Sequence, residues 1–114
     1  MNDCLFCKIS RGTIPASIVY ENDRLMAFKD IAPKAPTHIL IIPREHIATV
    51  NDLHPTQATL MGELVLTAQQ LACDLNLSES GYRLVMNCNR DGGQAVYHIH
   101  LHLLGGRTMQ WPPG

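Results

Sequence analysis

No stretch of this sequence holds the about eighteen consecutive apolar residues that a membrane-crossing helix needs. Its beginning, MNDCLFCKIS, lacks the basic start and long apolar core of a secretory signal. Both absences point to the cytoplasm. There the four cysteines are expected to be reduced, and their even number does not imply a disulfide framework. An excess of positive charge is missing too: the net charge is −1 and the pI about 6.6. That argues against a general grip on nucleic-acid polymers, which needs a basic field, but not against holding one nucleotide. There is no internal repeat, low-complexity tract or linker, so residues 1–114 read as a single domain.

What is present fits a small globular protein. Apolar residues make up 46% and charged residues 17%. A chain of this length buries roughly two-thirds of its unfolded surface. It can fold alone with little surplus, and pairing with a second copy would help.

CLFCKISRG reads as a short helix stopped by Gly12. SIVYEND and LMAFKD are β-rich runs around Asn-Asp-Arg, the pattern of a hairpin. THILIIP is a further strand, bounded by Pro36 and Pro43. The segment from Asn51 to Gly81 carries the one strong helical pattern. In it Leu60, Met61, Leu64, Val65, Ala68, Leu71, Ala72 and Leu75 recur at steps of three and four. YRLVMNCN and VYHIHLHLL read as strands separated by the turn RDGGQ, and GGRTMQWPPG as an irregular tail. The expected fold is α+β: a five-stranded antiparallel meander with one long helix across a face and a short N-terminal helix.

His98, His100 and His102 stand at alternate positions. On a strand they share one face, while Ile99, Leu101 and Leu103 share the other and pack under the helix. An ordinary exposed face mixes Lys, Glu, Thr and Ser; three imidazoles in register are unusual. A single metal ion on all three is improbable. The outer pair lie about 13 Å apart along a strand, against Zn–N bonds of about 2.1 Å. Two of the histidines at i and i+2 can share one zinc ion, so at least one imidazole has another job, and a third reading is catalysis. Imidazole titrates near neutrality and can serve as nucleophile, acid or base. Just upstream, Gly92 and Gly93 let backbone N–H groups approach an anion such as phosphate.

HIHLHLL fits the pattern His-φ-His-φ-His-φ-φ, with φ apolar, and the chain resembles the histidine triad family. IPASIVYENDRLMAFKDIAPKAPTHILIIPREH, GYRLVMN, DGGQAVYHIHLHLLGGR and the closing WPPG are similar to its Hint branch, not to the dinucleoside-polyphosphate hydrolases of the Fhit branch. The resemblance covers nearly the whole chain. It implies a homodimer whose sheets join, and a hydrolase of purine nucleoside 5′-phosphoramidates that needs no metal for its chemistry. By that resemblance His100 is the nucleophile, forming a covalent nucleotidyl-histidine. His102 contacts phosphate and helps protonate the departing amine. His98 is the first histidine of the triad and His38 supports it by hydrogen bonds. Asn87 and Gly93 lie on the phosphate side with Gln94 beside them. Phe28, Asp30 and Ile31 line the nucleoside pocket, with Asp30 accepting from the ribose hydroxyls, and Ile9 and Ile14 pack on the base. Read singly, most of these residues have ordinary explanations: a turn for Asp30, a packed strand for His38, core for Phe28 and the isoleucines.

The chemistry agrees with these roles. A neutral imidazole nitrogen is nucleophilic when the other nitrogen carries the proton and is held by an acceptor. Expelling an amine requires an acid. One departure concerns Ala95, where many Hint proteins carry a serine; alanine cannot contact phosphate or leaving group. Cys4 and Cys7 form a Cys-x-x-Cys without the βαβ context of a redox motif. They are either two plain thiols or two of four tetrahedral zinc ligands. Histidine triad proteins with this pair imply His46 and His98 as the others, a structural zinc. Cys73 and Cys88 read as buried small hydrophobes. Trp111 either fills an apolar gap or lies at a partner subunit. Two further readings are a nucleotide-binding interaction module with vestigial catalysis, and a polyphosphate hydrolase or nucleotidyl transferase.

Overall fold

Alternating and continuous apolar runs sort the chain into one sheet with a helix on each face. A computed structural model describes residues 3–114. Its elements are α1 (Leu5–Ser10), β1 (Ile18–Glu21), β2 (Leu25–Lys29), β3 (Thr37–Pro43), α2 (Ala58–Asp74), β4 (Tyr82–Val85), α3 (Asn89–Gly92) and β5 (Leu101–Gly105). Two single 3-10 turns, Val50–Asp52 and Pro55–Gln57, lead into α2, so the helix proper is shorter than the periodic segment.

The sheet is antiparallel throughout, in the order β1-β2-β3-β5-β4. The meander holds through β3, and β5 then lies inside β4. Burial explains the order. β3 is apolar on both faces and buried from His38 to Pro43, so it belongs at the centre. β5 carries Leu101 and Leu103 into the core and takes the next place. β4, half-buried along its length, is left at one edge, and the exposed β1 at the other.

Each face has its own core. Ala27, Ile39, Ile41, Leu101 and Leu103 point to α2, where Leu64, Ala68, Leu71 and Ala72 meet them. Only this narrow stripe of α2 is buried; Val65 and Leu75 of the expected stripe are exposed, because the helix meets the sheet along one line. Met26, Phe28, Leu40 and Ile42 point to the opposite face, under Phe6 and Ile9 of α1. Two cysteines depart from expectation. Cys73 falls outside the stripe of α2 and is exposed, and Cys88 is only partly covered. Trp111 is 82% exposed and fills no apolar gap in this chain.

Candidate active site

Strand register builds the site on the face away from α2. Phe28 of β2 stands opposite Leu40 of β3, and Leu40 opposite His102 of β5. These three side chains form one row across the sheet. His38 lies two residues before Leu40 on the same strand, so it shares that face and reaches His102.

The strand expected over the triad is shorter than the motif. Regular pairing starts at Leu101, and His98 to His100 lie before it. There the Pro43 carbonyl accepts from the His98 ring (2.7 Å), and the Ile99 N–H donates to Ile47 (2.7 Å). Inward and outward alternation survives: Ile99 joins the α2-side core, while His98 and His100 face α1.

Hydrogen bonds to the rings fix which nitrogen carries each proton. His100 Nδ1 lies 2.8 Å from the His98 carbonyl, so it is the N–H that donates. Its Nε2 therefore holds a free lone pair. The Lys34 N–H donates to His38 Nδ1 (3.0 Å), which puts the His38 proton on Nε2. That N–H donates to His102 Nδ1 at 2.9 Å. His102 then carries its proton on Nε2, a buried atom with no partner among the described residues. A lone pair on His100 and an N–H on His102 are thus offered side by side, with ring centroids 4.9 Å apart.

Burial dominates the electrostatics. It pushes His102 down to about 4, helped by the neighbouring His100 and His38 and opposed by Asp30. Burial likewise lowers His38, against the pull of Asp30 Oδ2 at 3.5 Å, and lowers His98. At neutral pH His102 is therefore a neutral hydrogen-bond donor.

Both histidines open onto a mainly apolar cavity of about 310 Å³. Of the residues expected there, it brings together Ile9, Ile14, Phe28, Asp30, Ile31, His100 and His102, with Ala95 beside them. Ile31 is fully exposed at its mouth, and Asp30 Oδ1 accepts from the Ala32 N–H (2.8 Å). Asn87, Gly93 and Gln94 do not line the cavity. Gly93, with φ of 78°, closes α3, and the Gln94 amide is spent on the loop. It accepts from Asn89 N–H (2.9 Å) and donates to the carbonyls of Ala48 (2.7 Å) and Val96 (3.1 Å). Sequence reading missed Phe6 and Leu40 as walls. Phe6 packs edge-on against Phe28 and His100, with centroids 5.4 and 5.1 Å away. Its signal was its place inside Cys-x-x-Cys.

A second cluster lies behind His100. The donor atoms of Cys4, Cys7, His46 and His98 fall within 4.8 Å of one another. His98 donates from Nε2 to Pro43, so its Nδ1 lone pair faces Cys4 Sγ (3.3 Å), Cys7 Sγ (3.4 Å) and His46 Nδ1 (3.2 Å). A tetrahedral zinc on two sulfurs and two nitrogens separates its ligands by about 3.3–3.8 Å. The four residues fit that ion. Asp30, His38 and His102 also converge, but a metal on His38 Nε2 would displace the proton that Lys34 fixes there.

A HIT-domain family model matches residues 11–109 of this sequence. The chain belongs to the histidine triad family. Among its HIT relatives, the purine nucleoside phosphoramidase of Escherichia coli K12 is 51% identical over 107 residues, 94% of this chain and 90% of that protein. A HIT-like protein of Synechococcus elongatus is 51% identical over 98% of this chain and 97% of its own length. The crystal structure of a HIT family hydrolase from Legionella pneumophila superposes with a TM-score of 0.97 at 58% identity, covering 98% of this chain and 100% of that one.

Proposed function

We propose that this protein hydrolyses the P–N bond of purine nucleoside 5′-phosphoramidates, adenosine 5′-monophosphoramidate among them, to AMP or GMP and an amine. The observation that carries the reading is the free Nε2 lone pair of His100 beside the unpartnered Nε2–H of His102 at the head of an apolar cavity. The phosphoramidase activity of the Escherichia coli relative supports it.

The purine lies between Ile9, Ile14 and Phe28, and Asp30 accepts from the ribose hydroxyls. His100 Nε2 attacks the α-phosphorus; the N–P bond to His100 forms as the P–N bond to the amine breaks. His102 donates from Nε2 toward the phosphoryl group. A phosphoryl anion set against that atom opposes the desolvation that depresses His102, so the ring gains proton affinity on binding and can supply the amine's proton. Water then attacks phosphorus and yields a proton to the His102 ring that had supplied the amine, the His100–P bond breaks with its electron pair returning to Nε2, and the nucleotide leaves. Two steps replace one with a higher barrier. Asn87, Gly93 and Gln94 shape the loop on the phosphate side.

A structural zinc on Cys4, Cys7, His46 and His98 would tie α1 to the loops behind the triad, with no part in bond making. Metal analysis of the purified protein tests it. The protein acts in the cytoplasm on single nucleotides and as a homodimer. Of the two sheet edges, β1 is bulged between Ile18 and Tyr20, a feature that blunts pairing. β4 is regular, and its Val85 faces His102. Joining at β4 sets the partner beside the site, near exposed Trp111. Sedimentation showing a monomer at working concentration would overturn the dimer.

Ala95 lines the cavity without a hydroxyl and favours a second reading, a nucleotide-binding module with weak turnover. One experiment separates the readings: intact-protein mass spectrometry after a rapid acid-free quench with adenosine phosphoramidate, wild type beside His100→Ala. An AMP-sized adduct on the wild type alone supports the covalent route. Tight AMP binding with neither adduct nor AMP release favours the module. Faster cleavage of P–O–P than of P–N substrates would point to a polyphosphate hydrolase.

A further inference from the structure

We propose that Arg107, outside the cavity, is a positioning residue that sets which nitrogen of His102 donates into it. The inference deepens the phosphoramidate reading and rests on it for its kinetic arm only.

The chain leaves β5 through Gly106, where φ is 95° and a Cβ would come within 2.8 Å of the Pro36 ring. Only glycine permits that approach without displacement. The close packing lays the tail on the connection from Asp30 to Pro36 that joins β2 to β3. Arg107 Nε then donates to the Lys34 carbonyl (3.0 Å), and its Nη1 donates to the Thr108 carbonyl (3.2 Å). One guanidinium therefore bridges the tail and the loop.

Lys34 is the residue that matters on that loop. Its N–H, on the other side of the same Cα, donates to His38 Nδ1 at 3.0 Å. A nitrogen that accepts cannot hold the proton of a neutral imidazole. The proton goes to His38 Nε2, which donates to His102 Nδ1 at 2.9 Å, and the same rule drives the His102 proton to Nε2. The relay runs from Arg107 through the Lys34 backbone and His38 to His102 Nε2, a buried side-chain atom with no partner among the described residues. Asp30 Oδ2, 3.5 Å from His38 Nε2, pulls the same way at a longer distance. The loop itself is mostly exposed and carries Pro33 and Pro36, which donate no backbone hydrogen bond. Without the clasp, the Lys34 N–H leaves His38 for part of the time. His38 can then hold its proton on Nδ1, and His102 can turn a lone pair to the phosphoryl group instead of a donor.

The test is long-range ¹H–¹⁵N NMR of histidine-labelled protein, with kcat and KM for adenosine phosphoramidate measured on the same samples. In the wild type, His38 and His102 are expected to carry their protons on Nε2 alone. Arg107→Ala is expected to show mixed tautomers at both rings and about a tenfold lower kcat, with a smaller loss of AMP affinity, because the phosphate meets a lone pair for part of the time. Arg107→Lys, whose ammonium can reach the same carbonyl, restores both. Lys34→Pro deletes the N–H directly, leaves the Arg107 acceptor in place, and should give the same mixing should Arg107→Ala fail to fold. Unchanged tautomers in the folded variants, or mixed tautomers with full kcat, overturn the proposal. Were the wild type itself inactive on P–N substrates, the functional reading would fail, and the NMR arm would still decide the relay.

Discussion

His100 and His102 differ less in surroundings than in what the group facing each Nδ1 demands. A carbonyl takes the Nδ1 proton of the first, and a ring nitrogen refuses that of the second. Two identical side chains thereby offer opposite things to the cavity, a lone pair from one and an N–H from the other. Replacing His100 by alanine is expected to cut kcat by at least about a thousandfold while AMP affinity changes little, as measured by steady-state kinetics and calorimetry. Comparable turnover in that variant would sink the covalent route. Ala95→Ser restores a hydroxyl to the cavity wall. One net hydrogen bond of about 1 kcal/mol predicts roughly a fivefold rise in kcat/KM; no rise would remove Ala95 as the reason for any slow turnover. These roles were legible in part. The spacing of the histidines pointed to catalysis, but the tautomers depend on the His98 carbonyl and on the Lys34 N–H acting through His38, contacts that no sequence pattern records. Asp30 and Ile31 were visible only through resemblance, because an Asp before a turn is ordinary. Leu40 was invisible as a wall until its register with His102 was known.

At the scale of elements, what repeats locally could be read and what pairs at a distance could not. The stripe of α2 was plain, yet its width was overestimated, since Val65 and Leu75 carry the right period and find no sheet beneath them. The positions of β4 and β5 were harder: both are short apolar runs, and what sends β5 inward is the full burial of Leu101 and Leu103, against a β4 that is half-buried along its length. α1 is the element most dependent on a single site. It spans six residues, too few to persist alone. Its buried residues are Phe6, Cys7 and Ile9, and its capping residue Cys4 and its own Cys7 face His98. If zinc holds this corner, a strong chelator should lower the melting temperature by at least roughly 4 °C, the shift expected for 1 kcal/mol in a domain of this size. Calorimetry with and without chelator, beside Cys4→Ser, decides it. A metal-free protein indifferent to chelator would leave α1 held by Phe6 and Ile9 alone.

For the whole molecule, the buried histidines make stability a function of pH. The sign follows from proton counts. Unfolded, a histidine titrates near 6.5; folded, His102 titrates at about 4, and burial lowers His38 as well. Between those values the unfolded chain binds more protons than the folded one, so stability rises with pH across the window. The contribution is fully present above pH 6.5 and is lost as the pH falls toward 4. For His102 alone, a displacement of that size amounts to roughly 2 kcal/mol by pH 5. That is a large share of the 5–15 kcal/mol typical of a domain. Urea unfolding at pH 7.5 and pH 5 is therefore expected to show a clear fall in midpoint at unchanged slope. His102→Asn, which removes the titrating ring, should flatten part of that dependence. Saturating AMP should oppose it, because a phosphate against Nε2 favours the protonated ring in the folded state. A midpoint that holds constant from pH 7.5 to pH 5 would mean that His102 is solvated in solution. The neutral donor, and with it the division of labour between His100 and His102, would then have to be abandoned.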